Sequence, residues 1–167
     1  MSSNVEFNDY SIRVKNLIKE TAITFLIEAG ELLHSEVVRN TAVDKGQTAG
    51  SWGDPVLDEG NLAVHVGSNF QNAIWEEFGT GEHAEMGNGR KGYWVFVLGS
   101  DGSSTTKSKT YSTKEEAKKA MAILRKKGLP AFYTNGKEAR HPFLKAYVGN
   151  KARIIKRAEE LFKKGLS

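Results

Sequence analysis

Four carboxylates and one histidine lie close together in the middle of the chain, in the stretch NAIWEEFGTGEHAEMGNGRKGYWVFV. Glu76, Glu77, His83 and Glu85 are of the right types to bind a divalent cation, since carboxylate and imidazole groups are ligands for several such ions. However, Glu76 and Glu77 are adjacent in a predicted helix, where neighbouring side chains diverge by about 100°. No His-x-x-x-His or Cys pair supports them. We therefore predict no metal site here.

The same stretch contains a glycine-rich segment, Gly87 to Gly92, whose spacing matches the G-x-G-x-x-G pattern of dinucleotide-binding loops. That pattern binds a pyrophosphate when a strand precedes it and a helix follows it, because the helix N-terminus holds the phosphate. Here a loop precedes the segment, and a predicted strand, Tyr93–Leu98, follows it. The sequence therefore predicts no bound cofactor.

Nucleophilic catalysis has no better support in the sequence. His34 lies in a predicted long helix, His65 in a predicted strand, and His141 beside Pro142, where a turn or capping role is expected. No serine stands in a G-x-S-x-G pattern. The chain has no cysteine, which excludes thiolate catalysis and disulfides. We predict that the protein is not an enzyme, and a metal-dependent hydrolase ranks third among the candidate functions.

The composition is that of a soluble globular protein with an uneven charge distribution. Its 167 residues suffice for one domain with a hydrophobic core. No apolar run approaches the ~18 residues of a membrane span, and the N-terminal stretch lacks a signal peptide's apolar run. Residues 1–113 carry 9 Lys/Arg and 15 Asp/Glu, net −6, whereas residues 114–167 carry 15 and 5, net +10. The basic part suits nucleic acid or an acidic protein surface; Lys-rich helices with solvated faces would give the same asymmetry.

Apolar periodicity in the first half predicts a long helix, a hairpin and a short helix. Intervals of three and four predict a helix over residues 9–40, capped by Asp9 or Ser11. The stretch VLDEGNLAVHVGS predicts two short strands around the turn Asp58–Asn61. NFQNAIWEEFG predicts a short helix that ends at Gly79.

The second half predicts a strand, a polar loop, a helix, a strand and a final helix. GSDGSSTTKSKT is predicted to be a hairpin tip or a mobile loop. The next helix is capped by Ser112 or Thr113 with a glutamate reaching back. The last helix begins at Pro142, and Gly149 and Asn150 could kink it. The fold class is α+β: a small, mostly antiparallel sheet packed by a long N-terminal and a C-terminal helix. We assign one domain, 1–167, with an inserted β-α-β segment at about 92–136.

This inserted segment resembles two kinds of binding module. The order of strand, polar loop, basic helix and strand is similar to the small arm domains of phage integrases, which bind DNA. It is also similar, more loosely, to peptidoglycan-binding domains built from β-α-β repeats. A DNA-binding or cell-wall-binding module that uses the basic C-terminal region is therefore the alternative function.

Three pieces in order carry a more specific resemblance: AVDKGQTAGSW (42–52), AIWEEFGTGEH (73–83) after the strand LAVHVGS, and HPFLKAYVGNKARIIKRAEELFKK (141–164). This succession resembles the neck or tail-completion family of long-tailed bacteriophages, which includes the lambda-type tail protein Z. The resemblance covers about residues 10–164. Three positions depart from the family pattern: Lys45 replaces a threonine, Asn72 replaces a tyrosine, and Lys145-Ala146 lacks a second proline.

The resemblance implies a structural virion protein of a phage or prophage. It would self-associate into a ring, hexameric in the family, that completes the tail and joins it to the head. Its partners would be the head-closure protein, the tail terminator and the tail tube, with possible non-specific contact with packaged DNA and none with a membrane. Its location would be the virion neck, after assembly in the bacterial host cytoplasm.

In such a ring, contacts are head-to-tail, so an acidic body can meet a basic C-terminal region. We expect the loop Gly79 to Gly92 to be a mobile segment that orders against a neighbouring subunit. We expect most of Trp75, Phe78, Tyr93, Trp94 and Phe96 to lie in the core. The four basic residues of the last helix would face either a neighbouring subunit or the DNA channel. The predicted interface residues are Glu76, Glu77, Gly79, Thr80, Gly81, Arg90, Lys91, Lys151, Arg153, Lys156 and Arg157.

Overall fold

The computed structural model describes residues 10–42, 46–100 and 103–165, and its elements confirm the α+β class. The helices are α1 (Ser11–Asn40), α2 (Gln71–Phe78), α3 (Lys114–Lys126) and α4 (Pro142–Gly165). The strands are β1 (Val56–Asp58), β2 (Ala63–His65), β3 (Tyr93–Leu98), β4 (Ser104–Tyr111) and β5 (Ala131–Thr134). The chain forms two compact units. One contains the described residues up to Asn69 together with those from Pro142 onward, and the other is Phe70–His141.

The first unit is organised by the packing of α1 against α4. Ala29 and Val37 of α1 and Ala146 of α4 are buried, so small side chains allow the two helices to approach closely. α4 is assigned as one helix from Pro142 to Gly165, and Gly149 and Asn150, where the sequence allows a kink, do not interrupt it. The Asn150 side chain donates a hydrogen bond to the Ala146 carbonyl, 2.9 Å away, inside the continuous helix.

The start of α1 differs from the prediction. Ser11 is the first helical residue, and Tyr10 precedes it without a side-chain capping hydrogen bond, so the predicted Ser11 cap is wrong. The alternative cap, Asp9, lies outside the described residues, as does Lys45 of the predicted turn. At the other end, Pro142 begins α4 as predicted, since its missing N–H needs no partner there.

A two-stranded antiparallel hairpin, β1–β2, packs on α1 at Gly30. A Cβ at Gly30 would lie 2.7 Å from the Val64 Cγ2 and 2.9 Å from the Pro55 Cβ, so only glycine leaves room for the hairpin. Trp52, which precedes β1, is linked to the end of α1, because its indole N–H donates to the Thr41 Oγ1 at 2.8 Å. The two predicted strands around Asp58–Asn61 are confirmed.

The second unit contains a three-stranded antiparallel sheet in the order β4–β3–β5, with α3 packed on it. The predicted strand Tyr93–Leu98 is central, and its Val95 is almost completely buried, as are Ala117 of α3 and Ala131 of β5. The predicted segment at 92–136 lies within this unit, which also includes α2. The single-domain assignment stays a prediction.

The polar stretch after β3 was predicted to be a hairpin tip or a mobile loop. Its first residues do connect two antiparallel strands, and the Gly99 N–H donates to the Ser103 carbonyl at 2.7 Å, but the rest of it is a strand. Ser104–Tyr111 forms β4 and pairs with β3 from Leu98↔Ser104 to Tyr93↔Tyr111. Several of its residues are threonines, whose branched Cβ suits a strand, and an edge strand can be stabilised by backbone pairing without an apolar face. The predicted capping box of α3 is confirmed, because the Thr113 Oγ1 accepts from the Glu116 N–H and the Glu116 carboxylate accepts from the Ser112 N–H.

Candidate interaction surface

Helix α2 buries a charge and exposes its large apolar side chains. Its buried residues are Ala73 and Glu76. Ile74, Trp75 and Phe78 are 54%, 42% and 40% exposed. Residues three and four positions apart share one side of a helix, so these three form one outward apolar side. Most of the five aromatic residues of this stretch were predicted in the core. Trp75 and Phe78 are exposed instead, because the opposite side of the helix faces inward, and Tyr93, Trp94 and Phe96 are half-buried.

Glu76 is held in place by basic groups from the segment after β5. Its side chain is 8% exposed; Oε1 accepts a hydrogen bond from the Lys137 Nζ, and Oε2 lies 3.9 Å from the Arg140 Nε. The Glu76 backbone carbonyl also accepts from the Arg140 N–H at 2.7 Å. A carboxylate is costly to bury without such partners. The pairing therefore determines which side of α2 faces inward, and Glu76, which was predicted at an interface, is buried within its own unit.

The glycine-rich loop is hydrogen-bonded within its own unit, contrary to the predicted mobile segment. The Thr80 N–H donates to the Lys137 carbonyl, and the Glu82 N–H donates to the Asn135 carbonyl, each at 2.8 Å. Gly79 has φ +71°, and a Cβ there would lie 2.8 Å from the Lys137 carbonyl oxygen. Of the predicted interface residues in this loop, Gly79 and Gly81 are buried and Thr80 is half-buried, so these three lie on the inner side of the loop.

Arg90, predicted at the interface, is engaged inside the second unit. Its Nη2 donates to the Thr110 Oγ1 at 2.8 Å and to the Lys107 carbonyl at 3.3 Å. Its guanidinium carbon lies 5.0 Å from the centroid of the Trp94 ring, within the range of a cation–π contact. Arg90 therefore ties the loop to strands β3 and β4.

Lys91 and Glu82 form a second internal link in this loop. The Lys91 Nζ lies 3.5 Å from Glu82 Oε2, while Oε1 accepts from the Gly92 N–H at 2.6 Å. The backbone hydrogen bond from Gly92 is the main cause that lowers the pKa of the Glu82 carboxyl below its usual value, with Lys91 adding to it. Lys91 is 70% exposed at its side chain and remains accessible to a partner.

An open apolar cavity lies beside the outward side of α2, and we call it the α2 groove. Its volume is about 340 Å³. Met86, which lies in the loop after α2, is 63% exposed and extends the apolar surface of the groove wall. The groove is lined mainly by apolar side chains, among them Ile74, Trp75, Phe78, Ala84, Met86 and Trp94. Such a groove can accept apolar side chains from another molecule.

The four basic residues predicted in the last helix lie on α4, in the first unit, and are all exposed. Arg157 makes a bidentate pair with Glu28 of α1, with Nε–Oε2 and Nη2–Oε1 distances of 2.6 and 2.9 Å. This pair raises the pKa of Arg157 and lowers that of Glu28. Lys156 lies 4.0 Å from Glu160, whereas Lys151 and Arg153 are exposed on the helix. Arg157 therefore links α1 to α4.

The candidate metal ligands of the middle stretch are not brought together. Glu76 pairs with Lys137, and Glu85 Oε1 lies 3.1 Å from the His141 Nε2. Glu77 is half-buried on α2. Within 10–42, 46–100 and 103–165, the structure contains no group of three His, Asp or Glu side chains that could hold a metal ion.

The sequence did not identify Ile74, Met86 or Lys137 as site residues. Ile74, Trp75 and Phe78 are visible in the sequence as one apolar arc, but an apolar arc is normally taken to face inward. Lys137 is 61 positions from Glu76 along the chain, and no local pattern connects the two.

Comparisons with protein-family models, with curated proteins and with solved structures found no match. The family resemblance carried by residues 42–52, 73–83 and 141–164 therefore stays a prediction. In the described part of the chain, none of the helices combines the length and apolar character needed to span a bilayer.

Proposed function

We propose that this chain is a structural assembly protein of a long-tailed phage or prophage. It would form a ring in the virion neck that completes the tail and joins it to the head. The observation that carries the self-assembly part of the proposal is the outward apolar side of α2, next to the buried Glu76. The ordered sequence resemblance supports the neck as its location.

The composition of the α2 groove supports a protein partner. Aromatic residues and methionine are enriched at protein interfaces, and tryptophan and tyrosine are common among the residues that dominate binding energy. Large contiguous apolar patches are uncommon on monomeric proteins and are characteristic of interaction sites. Trp75, Phe78 and Met86 supply such a surface.

The polar groups around the groove also support a structural role over a catalytic one. Glu76 is neutralised by Lys137, Glu82 is bonded to Gly92 and Lys91, and Arg90 is bonded to strand β4. These contacts hold the loop in shape. The Glu76 Oε2 has no hydrogen-bond partner among the described residues, but it is buried 3.9 Å from the Arg140 Nε, whereas a catalytic acid or base must reach its substrate.

The finer parts of the proposal follow from the resemblance. The ring would contain six copies, and its neighbours would be the head-closure protein, the tail terminator and the tail tube. Lys151 and Arg153 are exposed on α4 and could face an acidic subunit surface or packaged DNA.

DNA binding is the second candidate, favoured by the basic surface of the second unit. Residues 104–130 carry eight Lys/Arg and two Asp/Glu, net +6, on strand β4, helix α3 and the residues next to them. Phe96 and Phe132 stack on the adjoining sheet with ring centroids 5.7 Å apart, and Phe132 is 39% exposed. Basic and aromatic groups together can bind a nucleic-acid strand.

Mass measurement and imaging of the purified full chain test the proposal. Six copies of the 18.4 kDa chain have a mass of about 110 kDa, and negative-stain images should show rings as the concentration rises. A chain that stays monomeric up to about 1 mM and does not incorporate into phage tails would contradict the proposal. A shift assay with random duplex DNA across a salt series tests the second candidate, for which affinity should fall steeply with salt.

A further inference from the structure

We propose that the exposed beginning of helix α1 pairs with the same segment of a second copy, antiparallel and about a two-fold axis. This contact goes beyond the proposed ring and does not depend on it, since a two-fold contact closes on itself and joins two chains. The residues that carry it all lie in the first unit.

Helix α1 extends past the described end of α4. The two helices are antiparallel, because the Asn40 side chain donates to the Pro142 carbonyl at 3.3 Å. At the other end of α4, a Cβ placed on Gly165 would lie 2.6 Å from the Thr21 Oγ1. Every α1 residue from Ser11 to Glu20 is exposed, so a stretch about 15 Å long projects beyond Gly165.

The projecting part continues the side of α1 that α4 covers further along. Thr21 lies beside Gly165, and Glu28 is paired with Arg157 of α4. Seven residues nearly complete two helical turns, so Val14 lies within about 20° of Thr21 around the helix. Three apolar side chains are exposed on this side, and we call them the α1 stripe: Val14, Leu17 and Ile18, which are 45%, 37% and 41% exposed. The α1 stripe therefore extends a surface on which a helix already packs, and a second helix is the occupant that fits it.

The charges at the edge of the α1 stripe favour a second α1 in the antiparallel direction. With Val14 and Leu17 at positions a and d of a heptad, Arg13 and Glu20 both occupy position g, at one edge of the stripe. In an antiparallel pair, Val14 of each copy lies opposite Leu17 of the other, and the two g edges face each other. Arg13 of each copy then lies beside Glu20 of the other, which gives two ion pairs across the axis.

The remaining charges of the segment point away from this contact. Lys15 and Lys19 occupy positions b and f on the outer side of the helix, and the Lys19 Nζ lies 3.9 Å from Glu59 Oε2 in the turn of the hairpin. The opposite edge of the stripe, position e, carries Ser11 and Ile18, which are uncharged.

A parallel pair lacks these ion pairs. Position g of one helix then faces position e of the other, which places Arg13 beside Ile18. Opposite charges that meet in only one arrangement fix the orientation of two helices. The second α1 therefore runs in the same direction as α4, along the side of α1 that α4 leaves uncovered.

Cross-linking through single introduced cysteines tests the contact, since the chain has none of its own. In the antiparallel pair the two copies of residue 14 are about 4–5 Å apart along the axis, and the two copies of residue 10 about 16 Å apart. A short bismaleimide should therefore join full-length Val14→Cys chains about tenfold more efficiently than Tyr10→Cys chains. Random collision would favour the reverse order, because Tyr10 is 59% exposed. Ile12→Cys, which is 73% exposed but at position f, should also cross-link poorly.

Charge reversal in the Val14→Cys chain tests the two ion pairs. At low salt, Arg13→Glu and Glu20→Arg should each lower the yield of cross-linked dimer about tenfold, because two contacts change from attractive to repulsive. The two substitutions together should restore the yield. Lys15→Glu is the matched control, since it makes the same change of charge at an outer position, and it should leave the yield unchanged.

Preferential Val14→Cys cross-linking, lost on either charge reversal and restored by both, supports the inference. Equal yields from Val14→Cys and Tyr10→Cys, as a parallel pair would give, would overturn it, and so would a double reversal that fails to restore the yield. Rings that form without a Val14→Cys product would overturn this contact and leave the proposed ring intact. Cross-linked dimers that never assemble into rings would support this contact and contradict the ring.

Discussion

Replacing the two aromatic residues on the outward side of α2 is the most direct perturbation of the proposed assembly. Trp75 and Phe78 are 42% and 40% exposed. A large aromatic side chain offers about 150–250 Å² of surface, so each ring leaves roughly 60–100 Å² available to a partner. At about 25 cal/mol per Å², burial of that remainder contributes about 2 kcal/mol per ring.

Trp75→Ser and Phe78→Ser should therefore each weaken association by about 30-fold, since 1.4 kcal/mol corresponds to a tenfold change. The assay is sedimentation equilibrium or mass photometry of the full chain over a concentration series. Both substitutions also remove the buried part of each ring, which costs the folded monomer about 2–3 kcal/mol. Circular dichroism at low temperature should confirm that each variant remains folded.

Phe132→Ser is the matched control, because Phe132 lies in the same unit, is 39% exposed, and does not line the α2 groove. It should leave association unchanged. If Phe132→Ser and Phe78→Ser weakened association equally, the loss would reflect general destabilisation, and the assignment of the groove as the contact surface would be refuted. The assignment would also be refuted if the folded Trp75→Ser and Phe78→Ser variants associated as tightly as the wild-type chain.

Three further predictions concern folding. Lys137→Met should lower the free energy of unfolding, measured in urea, by about 2 kcal/mol. This is less than the ~3–5 kcal/mol typical of fully buried pairs, because the Lys137 side chain is 43% exposed. Adding Glu76→Gln should recover most of the loss, and additive effects of the two substitutions would show that the pair is not coupled. Gly30→Ala should lower stability by about 1–3 kcal/mol through overpacking against the hairpin. Gly149→Ala, where a Cβ meets no atom within 4 Å, should instead raise the melting temperature by the equivalent of about 1 kcal/mol. A higher melting temperature for Gly30→Ala as well would contradict the close packing of the hairpin on Gly30. Because the folded-state pKa of Glu82 is lowered from 4.5, its contribution to stability is present above about pH 4.5 and is lost as the pH falls through the folded value. Thermal unfolding of Glu82→Gln should therefore depend less on pH in that acid range than wild type does, and parallel curves would exclude the effect.

The elements with strong local signals were predictable from the sequence. The apolar run Tyr93–Leu98 indicated a central strand, and Thr113 with Glu116 indicated the start of α3; both are confirmed. Strand β4 was missed because its side chains are polar, and its conformation is decided by backbone pairing with β3. Pairing of this kind depends on a partner that local composition does not specify.

The candidate site was predicted only in part. The stretch around α2 and the glycine-rich loop was predicted from the sequence to form an interface, and that role stays a prediction, but its side chains are not oriented as expected. Glu76 was predicted at an interface and most of the five aromatic residues were predicted in the core, whereas the structure buries Glu76 and exposes Trp75 and Phe78. The orientation of α2 was mispredicted because the periodicity of apolar residues is the same whether that side of a helix faces the core or a partner.

The sequence by itself determined the α+β class, the main helices and the central strand, because these depend on periodicity, capping residues and turn residues that are local along the chain. The tertiary structure decided which way α2 faces. Lys137 and Arg140 come from a segment about 60 residues further along the chain, and only the folded second unit places them beside Glu76. Since an unpaired buried carboxylate is unfavourable, that long-range pairing holds the charge inside and leaves Trp75 and Phe78 exposed.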